Sequence, residues 1–366
     1  MKIIAFYLPQ YHQIPENDEW WEEGFTEWTN VKRAKPIYRH QVQPKIPLNN
    51  NYYDLMDKKT VEWQTNLMHQ YGIYGFCYFH YWFTGKKILQ RPAENLLKWQ
   101  EIEQPFCFAW ANCTWARTWS AYKGATTDWI AADRKATGDG VLLEQTYGTK
   151  ADWVGHYNYL RQFFMDARYI KVGNKPVLLI YHIEDIKEAV EMFEIWNQLS
   201  CEDGFNGIHI ISINTIVKNN RYVEAIARYG LYMKYDFYHL RECKHRLLSA
   251  VGIKKTGLVL NYERVWKNMV KEDPIRGIKT YPGAVVTYDE TPRRGKDGTY
   301  LKGASPQLFE KYLRMQIEKG KEVYHSEFLF LDAWNEWGEG NYLEPDEIHG
   351  YAYLDAVKNA LGDKHR

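Results

Sequence analysis

The chain has 366 residues, and its 47 lysines and arginines nearly balance its 46 aspartates and glutamates, which gives a formal net charge of +1. A chain this close to neutrality has no overall field that would attract nucleic acid or an anionic membrane, so neither partner is expected. Phe, Tyr and Trp make up 16% of the residues, and because their rings combine an apolar face with a polar edge, this content favours a carbohydrate ligand.

Short apolar segments that alternate with helical segments indicate the fold. Eight segments read as buried strands, at 2–8, 75–83, 106–111, 177–181, 208–213, 231–235, 284–288 and 328–334. Apolar residues at three- and four-residue spacing predict helices at about 59–70, 91–102, 152–168, 187–199, 218–228, 259–271, 306–319 and 351–361. Eight such units predict one α/β domain over residues 1–366, a closed (β/α)8 TIM barrel with parallel strands.

An open doubly wound sheet is the alternative fold. Such a sheet usually carries a glycine-rich phosphate turn after its first strand, whereas residues 8–12 read Leu-Pro-Gln-Tyr-His. The connections from strand to helix are long at about 9–58, 112–151 and 289–305. A barrel gathers these loops on its C-terminal face, where its chemistry is found, so the barrel is favoured.

The cysteines and the N-terminus indicate the compartment. Five cysteines, an odd number without Cys-x-x-Cys spacing, favour reduced thiols in a cytoplasmic protein. The first eight residues are too short for the apolar part of a secretion signal, and no apolar stretch reaches the roughly 18 residues of a transmembrane segment. A cytoplasmic location is therefore expected, with the removal of an export signal as the alternative.

Polar and aromatic side chains cluster at the predicted carboxyl ends of the strands and in the long loops. Because a barrel brings the strand ends to one mouth, we expect a pocket for a neutral polyol there. The candidate substrate-binding residues are Tyr7, Gln10, Tyr11, His12, Trp28, His80, Tyr81, Trp82, Trp110, Asn112, Trp115, Tyr181, Asp289 and Trp337. Arg293 could contact an acidic substrate or lie in a solvated loop. His80 has no second His or Cys at ligand spacing, so neither a metal nor another cofactor is expected.

The segment Asp-Ala-Trp-Asn-Glu-Trp-Gly-Glu-Gly at 332–340 holds the candidate catalytic residues. Cleavage of a glycosidic bond needs one carboxylic acid that protonates the departing oxygen and a second carboxylate that assists at the sugar. Glu336 and Glu339 supply both. Burial beside Trp334 and Trp337, together with like-charge repulsion, should raise the pKa of at least one glutamate. The alternative is a pair that caps a helix or lies on a solvated face.

The segment Asn-Glu-Trp-Gly-Glu-Gly-Asn-Tyr-Leu-Glu-Pro at 335–345 resembles glycoside hydrolase family 99, the endo-mannosidases, and more closely the WbsX-type proteins of polysaccharide biosynthesis. Similar motifs at 5–31, 72–83, 106–119 and 285–295 extend this resemblance over nearly the whole chain. It implies a (β/α)8 barrel and retaining, metal-free chemistry. Glu336 would act as a base on the substrate's own 2-hydroxyl, and Glu339 would be the acid/base. It also implies sugar contacts by Tyr7, Glu27, His80, Trp82 and Asn335.

The sequence departs from the family-99 pattern at some positions. Gly338 stands where the hydrolases usually have histidine. The sequence also departs from the WbsX-type pattern, since Glu290 replaces an asparagine expected near Asp289. The leading prediction is a glycosidase or transglycosidase that acts on an oligosaccharide or polysaccharide substrate, either a bacterial polysaccharide or a mannose-type glycan. A sugar-nucleotide glycosyltransferase of O-antigen or capsule biosynthesis is the main alternative, although the chain has no Asp-x-Asp motif. A carbohydrate-binding barrel without catalytic activity is the third.

Overall fold

The computed structural model describes residues 1–116, 140–217, 220–230 and 257–362. Its central element is a nearly closed barrel of parallel strands in the order β7-β6-β5-β4-β3-β2-β1-β9-β8. The strands are β1 Lys2–Tyr7, β2 Gly75–Phe83, β3 Phe106–Trp110, β4 Lys175–Ile180, β5 His209–Ile213, β6 Val223–Ala227, β7 Lys279–Tyr281, β8 Gly283–Val285 and β9 Phe328–Asp332. Only Pro282 separates β7 from β8, so the two ends of this order meet in one interrupted strand.

Helices surround the barrel, and shorter elements lie in the loops. The main helices are α1 Lys58–Gln70, α2 Arg91–Lys98, α3 Lys150–Phe164, α4 Ala189–Glu202, α5 Tyr262–Lys271, α6 Pro306–Glu322 and α7 Ala352–Leu361. The loops contain the short helices Pro15–Trp20, Glu27–Arg33 and Thr291–Arg294, and the 3-10 turns Leu48–Asn50, Ile183–Asp185, Gly295–Asp297 and Trp337–Glu339. They also contain the short strands Lys86–Ile88, Trp115–Ala116, Val141–Leu143, Lys171–Val172, Val259–Asn261, Tyr300–Lys302, Asn335–Glu336 and Asn341–Tyr342.

Burial explains why these segments form parallel strands and amphipathic helices. All nine residues of β2 and all five of β9 are buried, as expected for strands covered on both faces. In α6 the buried Phe309, Leu313 and Ile317 recur at four-residue spacing, and the Ser305 hydroxyl caps the helix by accepting from the amide of Leu308. The predicted (β/α)8 barrel is confirmed.

The sequence-based assignment was wrong around the sixth strand. The segment predicted as a helix at 218–228 contains β6, which pairs in parallel with both β5 and β7. A short run of small and branched apolar residues cannot be told from a buried helix by periodicity alone, and here pairing on both sides decides the outcome. The predicted strand at 231–235 lies outside the described residues. The seventh strand begins at Lys279, ahead of the predicted start at 284, and the predicted helix at 259–271 begins with the short strand Val259–Asn261.

Long connections follow the carboxyl ends of several strands, as predicted. They run from β1 to α1, from β3 to α3 and from β8 to α6. Because the strands are parallel, all three connections leave the same face of the barrel. Within the described parts of the chain, no helix has the length and apolar character needed to cross a membrane.

Candidate active site

Glu336 follows β9 at the C-terminal mouth of the barrel, and side-chain hydrogen bonds fix its position. The pairing of β9 with β1 continues past the strand, because the amide of Trp334 donates to the carbonyl oxygen of Phe6 at 2.8 Å. The buried side chain of Asn335 then accepts from the amide of Leu8 at 2.7 Å and donates to its carbonyl oxygen at 3.0 Å. The backbone that carries Glu336 is therefore held against β1 by hydrogen bonds.

A tight turn carries the chain from Glu336 to Glu339. The turn ends at Gly340, whose φ of 53° lies in the left-handed region that favours glycine. A Cβ at Gly340 would also approach the Cβ of Asp289 to 2.8 Å. Within the turn, Trp337 stacks on Tyr342 with 3.7 Å between ring centroids, and its indole N–H donates to Glu344 at 2.7 Å. Dense packing thus holds the turn rigidly.

Arg293 binds three glutamates at once. Its Nη2 donates to Glu336 Oε2 at 2.8 Å, its Nη1 to Glu339 Oε1 at 2.5 Å, and its Nε to Glu27 Oε1 at 2.8 Å. The Arg293 side chain is only 5% exposed and Glu27 is fully buried, whereas the side chain of Glu339 is 19% exposed. Since the guanidinium is a rigid fork, it holds the Glu336 and Glu339 carboxylates side by side.

The electrostatics of this cluster favour a retained proton. Burial raises the pKa of Glu336 well above its ordinary value; Arg293 opposes the shift, and Glu339 and Glu27 add to it. Burial also raises the pKa of Glu339, again against the effect of Arg293. Arg293, joined by Arg294 at Glu339, does not offset burial, so the pKa of each glutamate stays above its ordinary value and retention of a proton by the pair is favoured. Such a pair contains both an acid and a base.

An open cleft of about 120 Å³ borders the acidic pair. Tyr229, which follows β6, and Tyr181, which follows β4, form part of its wall, with 5.5 Å between their ring centroids. Its remaining lining residues are Leu8, Phe79, Tyr81, Ala111, Cys113, Thr114, Trp115, Ala116, Arg293, Glu336 and Glu339. Aromatic rings facing a carboxylate pair can stack on a sugar while its hydroxyls reach the acids.

The structure brings together part of the predicted site. Besides the two glutamates, the predicted residues that line the cleft are Tyr81, Trp115, Tyr181 and Arg293. Glu27 lies behind them and contacts Arg293. Tyr229 was missed because it follows a segment predicted as a helix. A correct prediction of β6 from the sequence would have placed Tyr229 just beyond a strand end, among the other candidate residues.

Several predicted contacts support the turn instead of lining the cleft. The Tyr11 hydroxyl donates to the carbonyl oxygen of Asn335 and accepts from the amide of Trp337 at 3.2 Å. Trp28 packs between Tyr11 and Trp337, with centroid distances of 4.7 Å and 5.5 Å, and donates its indole N–H to the carbonyl oxygen of Tyr53. With Asn335, these side chains position Glu336. None of them is among the described residues that line the cleft, and their contact with a sugar stays a prediction.

Other predicted contacts are packed in the protein interior away from the cleft. His80 Nε2 and His156 Nε2 are 2.9 Å apart, Trp82 stacks on His156, and Trp110 meets the same ring edge-on. Burial lowers the pKa of His80 to about 3, so His80 is a neutral core histidine. The Tyr7 hydroxyl donates to Gln64 at 2.7 Å.

The remaining predicted contacts are also buried, and most of them bond to protein groups, whereas both amide atoms of Gln10 have no hydrogen-bond partner among the described residues. Gln10 is fully buried, and His12 Nδ1 lies 2.9 Å from the carbonyl oxygen of Pro9. Asn112 pairs with both the amide and the carbonyl oxygen of His182 at 2.8 Å. The Asp289 carboxylate accepts hydrogen bonds from Gln41, Gln43 and Thr291. Strand-end position alone therefore overestimates the number of residues that reach the cleft.

The chain forms a parallel (β/α)8 barrel with buried carboxylates beside an open cleft at its C-terminal mouth, the face where barrel enzymes place their chemistry. In fold, the chain is similar to the family-99 endo-α-mannosidase from Bacteroides thetaiotaomicron. Two structures of that enzyme give TM-scores of 0.59 and 0.60 at 13% and 12% identity, and the matches cover 98% of this chain and 95% and 96% of theirs. A glycoside hydrolase-like protein gives a TM-score of 0.57 at 13% identity, over 98% of this chain and 93% of its own.

The sequence places the chain more closely. Residues 3–357 match the family described as Glycosyltransferase WbsX, and the chain belongs to that family. It is 32% and 31% identical, over 362 residues, to the WxcX proteins of two strains of Xanthomonas campestris pv. campestris. These matches cover 98% of this chain and 49% of each relative, so the chain spans about half the length of the curated relatives it matches.

Proposed function

We propose that the protein is a retaining glycosidase or transglycosidase that acts within a bacterial polysaccharide or a mannose-type glycan. The observation that supports this most strongly is the pair Glu336 and Glu339 on the wall of the cleft, each bound to Arg293. Two adjacent carboxyl groups with raised pKa values provide the acid and the base that glycosidic bond cleavage needs.

The assignment of roles within the pair follows the resemblance to the family-99 hydrolases. Glu336 takes the proton of the substrate's 2-hydroxyl while that oxygen attacks the anomeric carbon. Glu339 protonates the departing oxygen as its bond to the anomeric carbon breaks, which leaves a 1,2-anhydro sugar. Glu339 then deprotonates water or an acceptor hydroxyl, whose oxygen opens the three-membered ring, and Glu336 returns the proton to the 2-oxygen.

The structure offers two supports for these roles. The side chain of Glu339 is 19% exposed and that of Glu336 only 5%, so Glu339 is better placed to exchange protons with water. Each glutamate presents one oxygen to Arg293, and the second oxygen of each carboxylate remains for a substrate hydroxyl. Arg293 acts as a positioning residue that keeps the two carboxyl groups on one side of the cleft.

A glycosyltransferase is the second candidate, because the family description names one, and a sugar nucleotide would be its donor. The charged side chains among the described residues that line the cleft are Arg293, Glu336 and Glu339. Arg293 is bound to three carboxylates, so a nucleotide pyrophosphate at this position would face negative charge. That balance favours a neutral glycan over a nucleotide sugar.

Turnover with and without nucleotide sugars tests the proposal. Wild-type protein, Glu336→Gln and Glu339→Gln are incubated with manno-oligosaccharides and with the polysaccharide of the host, and products are separated by mass. We expect cleavage or transfer without any nucleotide, reduced about 10²-fold or more in each variant. Glu318→Gln, at an exposed position of α6, is the matched control and should keep wild-type activity. A substrate with hydrogen in place of the 2-hydroxyl should not react.

Two outcomes contradict the proposal in different ways. Turnover that requires a nucleotide sugar identifies a glycosyltransferase. Sugar binding without turnover, with equal affinity in the wild-type protein and both glutamine variants, identifies a carbohydrate-binding barrel.

A further inference from the structure

A second cavity, of about 340 Å³, lies behind the turn that carries Glu339. It shares no lining residue with the catalytic cleft. A contact between Asp289 and Gly340 separates the second cavity from the cleft. The amide of Asp289 also donates to the carbonyl oxygen of Glu339 at 2.5 Å. Its volume falls in the range of roughly 300–1,000 Å³ that small-molecule sites occupy.

The acidic groups of this second cavity are already hydrogen-bonded within the protein. Asp289 accepts from Gln41, Gln43 and Thr291. Asp346 accepts from the Tyr342 hydroxyl at 2.8 Å and from two backbone amides of its own loop. These carboxylates therefore shape the cavity wall, and its unused hydrogen-bonding capacity lies in other groups.

The groups with unused capacity are an ammonium and several phenols. The half-buried Lys45 lines the cavity and has no hydrogen bond or ion pair with any described residue, although Asp346 and Asp289 are near enough to influence it. Burial lowers the pKa of Lys45. The hydroxyls of Tyr288, Tyr300 and Tyr353 likewise make no hydrogen bond to the described part of the chain. An ammonium donates up to three hydrogen bonds, and a phenol both donates and accepts.

The charge of the lining selects the class of ligand. Two lysines, Lys45 and Lys302, balance the two aspartates, so the cavity has little preference for an ion of either sign. Tyrosine rings supply apolar faces of the size of a pyranose ring. A neutral, ring-shaped molecule with several hydroxyls meets all these conditions.

We propose that this cavity is a second sugar-binding site, which takes an uncharged hexose residue and is distinct from the catalytic cleft. The Lys45 ammonium donates to hydroxyl oxygens of the sugar, and the tyrosine hydroxyls bond its remaining polar edge. The site does not depend on the reaction proposed above, since none of its lining residues belongs to the acidic cluster on Arg293.

Binding of simple glycosides tests this proposal. Methyl α-mannoside, methyl α-glucoside, methyl α-galactoside and glucuronate are titrated against the full chain by ligand-observed NMR. We expect saturable binding of at least one neutral glycoside, weakened about tenfold or more by Lys45→Met, since a hydrogen bond from a charged donor is lost. Lys311→Met, at an exposed position of α6, should bind as wild type. Val42→Trp, at a half-exposed position of the cavity lining, should weaken binding by occupying the space without removing a charge.

The opposing results are separable from failure of the catalytic proposal. No glycoside binding, or binding that Lys45→Met and Val42→Trp leave unchanged, overturns the second site whether or not Glu336 and Glu339 prove catalytic. Tighter binding of glucuronate than of every neutral glycoside overturns the uncharged class of ligand. Because Val42→Trp leaves the buried charges intact, its result stands even if Lys45→Met fails to fold.

Discussion

Gly338 is in close contact with the ion pair behind the acidic pair. A Cβ at this position would lie 1.5 Å from Glu27 Oε1 and 2.8 Å from Arg293 Nε. The space beside the turn is therefore filled by the Glu27 carboxylate and its partner Arg293. This accounts for the departure noted in the sequence, where glycine replaces the histidine usual in family-99 hydrolases: at this position any side chain would displace the buried pair.

We predict that Gly338→Ala will destabilise the protein and disable the site together. The methyl group must push Glu27 away from Arg293, and disruption of a buried ion pair costs roughly 3–5 kcal/mol. Urea unfolding should show a loss of that order, and any glycan turnover should fall with it, because Arg293 also binds Glu336 and Glu339.

A glycine with free space around it provides the control. Gly155 lies inside α3, and a Cβ there meets nothing within 4 Å. Gly155→Ala should therefore be neutral or stabilising by about 0.5–1 kcal/mol. If Gly338→Ala is as stable as the wild-type protein, the Glu27 side chain can adopt another conformation without loss of stability, which contradicts the prediction.

At the level of elements, the Asn335 side chain extends the pairing of β1 with β9 to the candidate active site. Asn335 bonds both backbone groups of Leu8, as another pair of strand residues would. Its residue type follows from this role, because only a side-chain amide offers a donor and an acceptor at the spacing of a peptide group.

We predict that Asn335→Ala will cost about 2 kcal/mol or more in the free energy of unfolding. The change leaves the buried N–H and carbonyl oxygen of Leu8 without partners, and each such group costs about 1–3 kcal/mol. Turnover should fall as well, since Glu336 is the next residue. Asn359→Ala, which removes an exposed side chain that bonds Glu310 on the outside of the barrel, should stay within about 0.5 kcal/mol of wild type. Equal stabilities of the two variants would contradict the prediction that the Asn335 hydrogen bonds to Leu8 stabilise the fold.

Strong local patterns made most of the elements predictable from the sequence. Long segments with one period, such as β2 and α6, were identified within a few residues. β6 was not, because five residues contain too few periods and its strand pairing with β5 and β7 is not written in its own residues.

The acidic pair was visible in the sequence because both glutamates lie in one short motif beside indole rings. The contacts of Arg293 with the glutamates were not visible in the sequence, because Arg293 lies 266 positions from Glu27 and 43 positions from Glu336. The solvated loop considered for Arg293 gives way to burial among three carboxylates, and its contact with an acidic substrate stays a prediction. Residues after strand ends were overcounted because the sequence does not show which of them point into protein.

For the whole molecule, buried carboxyl groups and buried histidines shift the pH dependence of stability in opposite directions. Burial raises the pKa of Asp332, Glu336 and Glu339, and it raises that of Glu344 to about 7 despite hydrogen bonds from Trp337, Gln64 and Tyr53. A group whose pKa is higher in the folded state binds more protons there than in the unfolded chain. Its contribution to stability is therefore complete below the unfolded pKa and is lost as the pH rises through the folded pKa.

We predict that Glu344→Gln will remove a loss of stability that Glu344 imposes on the wild-type protein between about pH 4.5 and pH 7. Burial lowers the pKa of His12, His80 and His156, which adds stability as the pH rises toward about 6.5, so the measurement compares the two proteins and does not rest on the sign of either slope alone. For Glu344 alone, the shift from its ordinary value of 4.5 to about 7 corresponds to roughly 3 kcal/mol over that window. Urea unfolding at pH 5, 6, 7 and 8 measures the slope in both proteins, and Glu318→Gln, at an exposed position, should keep the wild-type slope. Because Asp332, Glu336 and Glu339 remain in the variant, the difference between the two slopes belongs to Glu344. Parallel slopes would mean that Glu344 is ionised in the folded protein throughout this range, and that its three donors outweigh its burial.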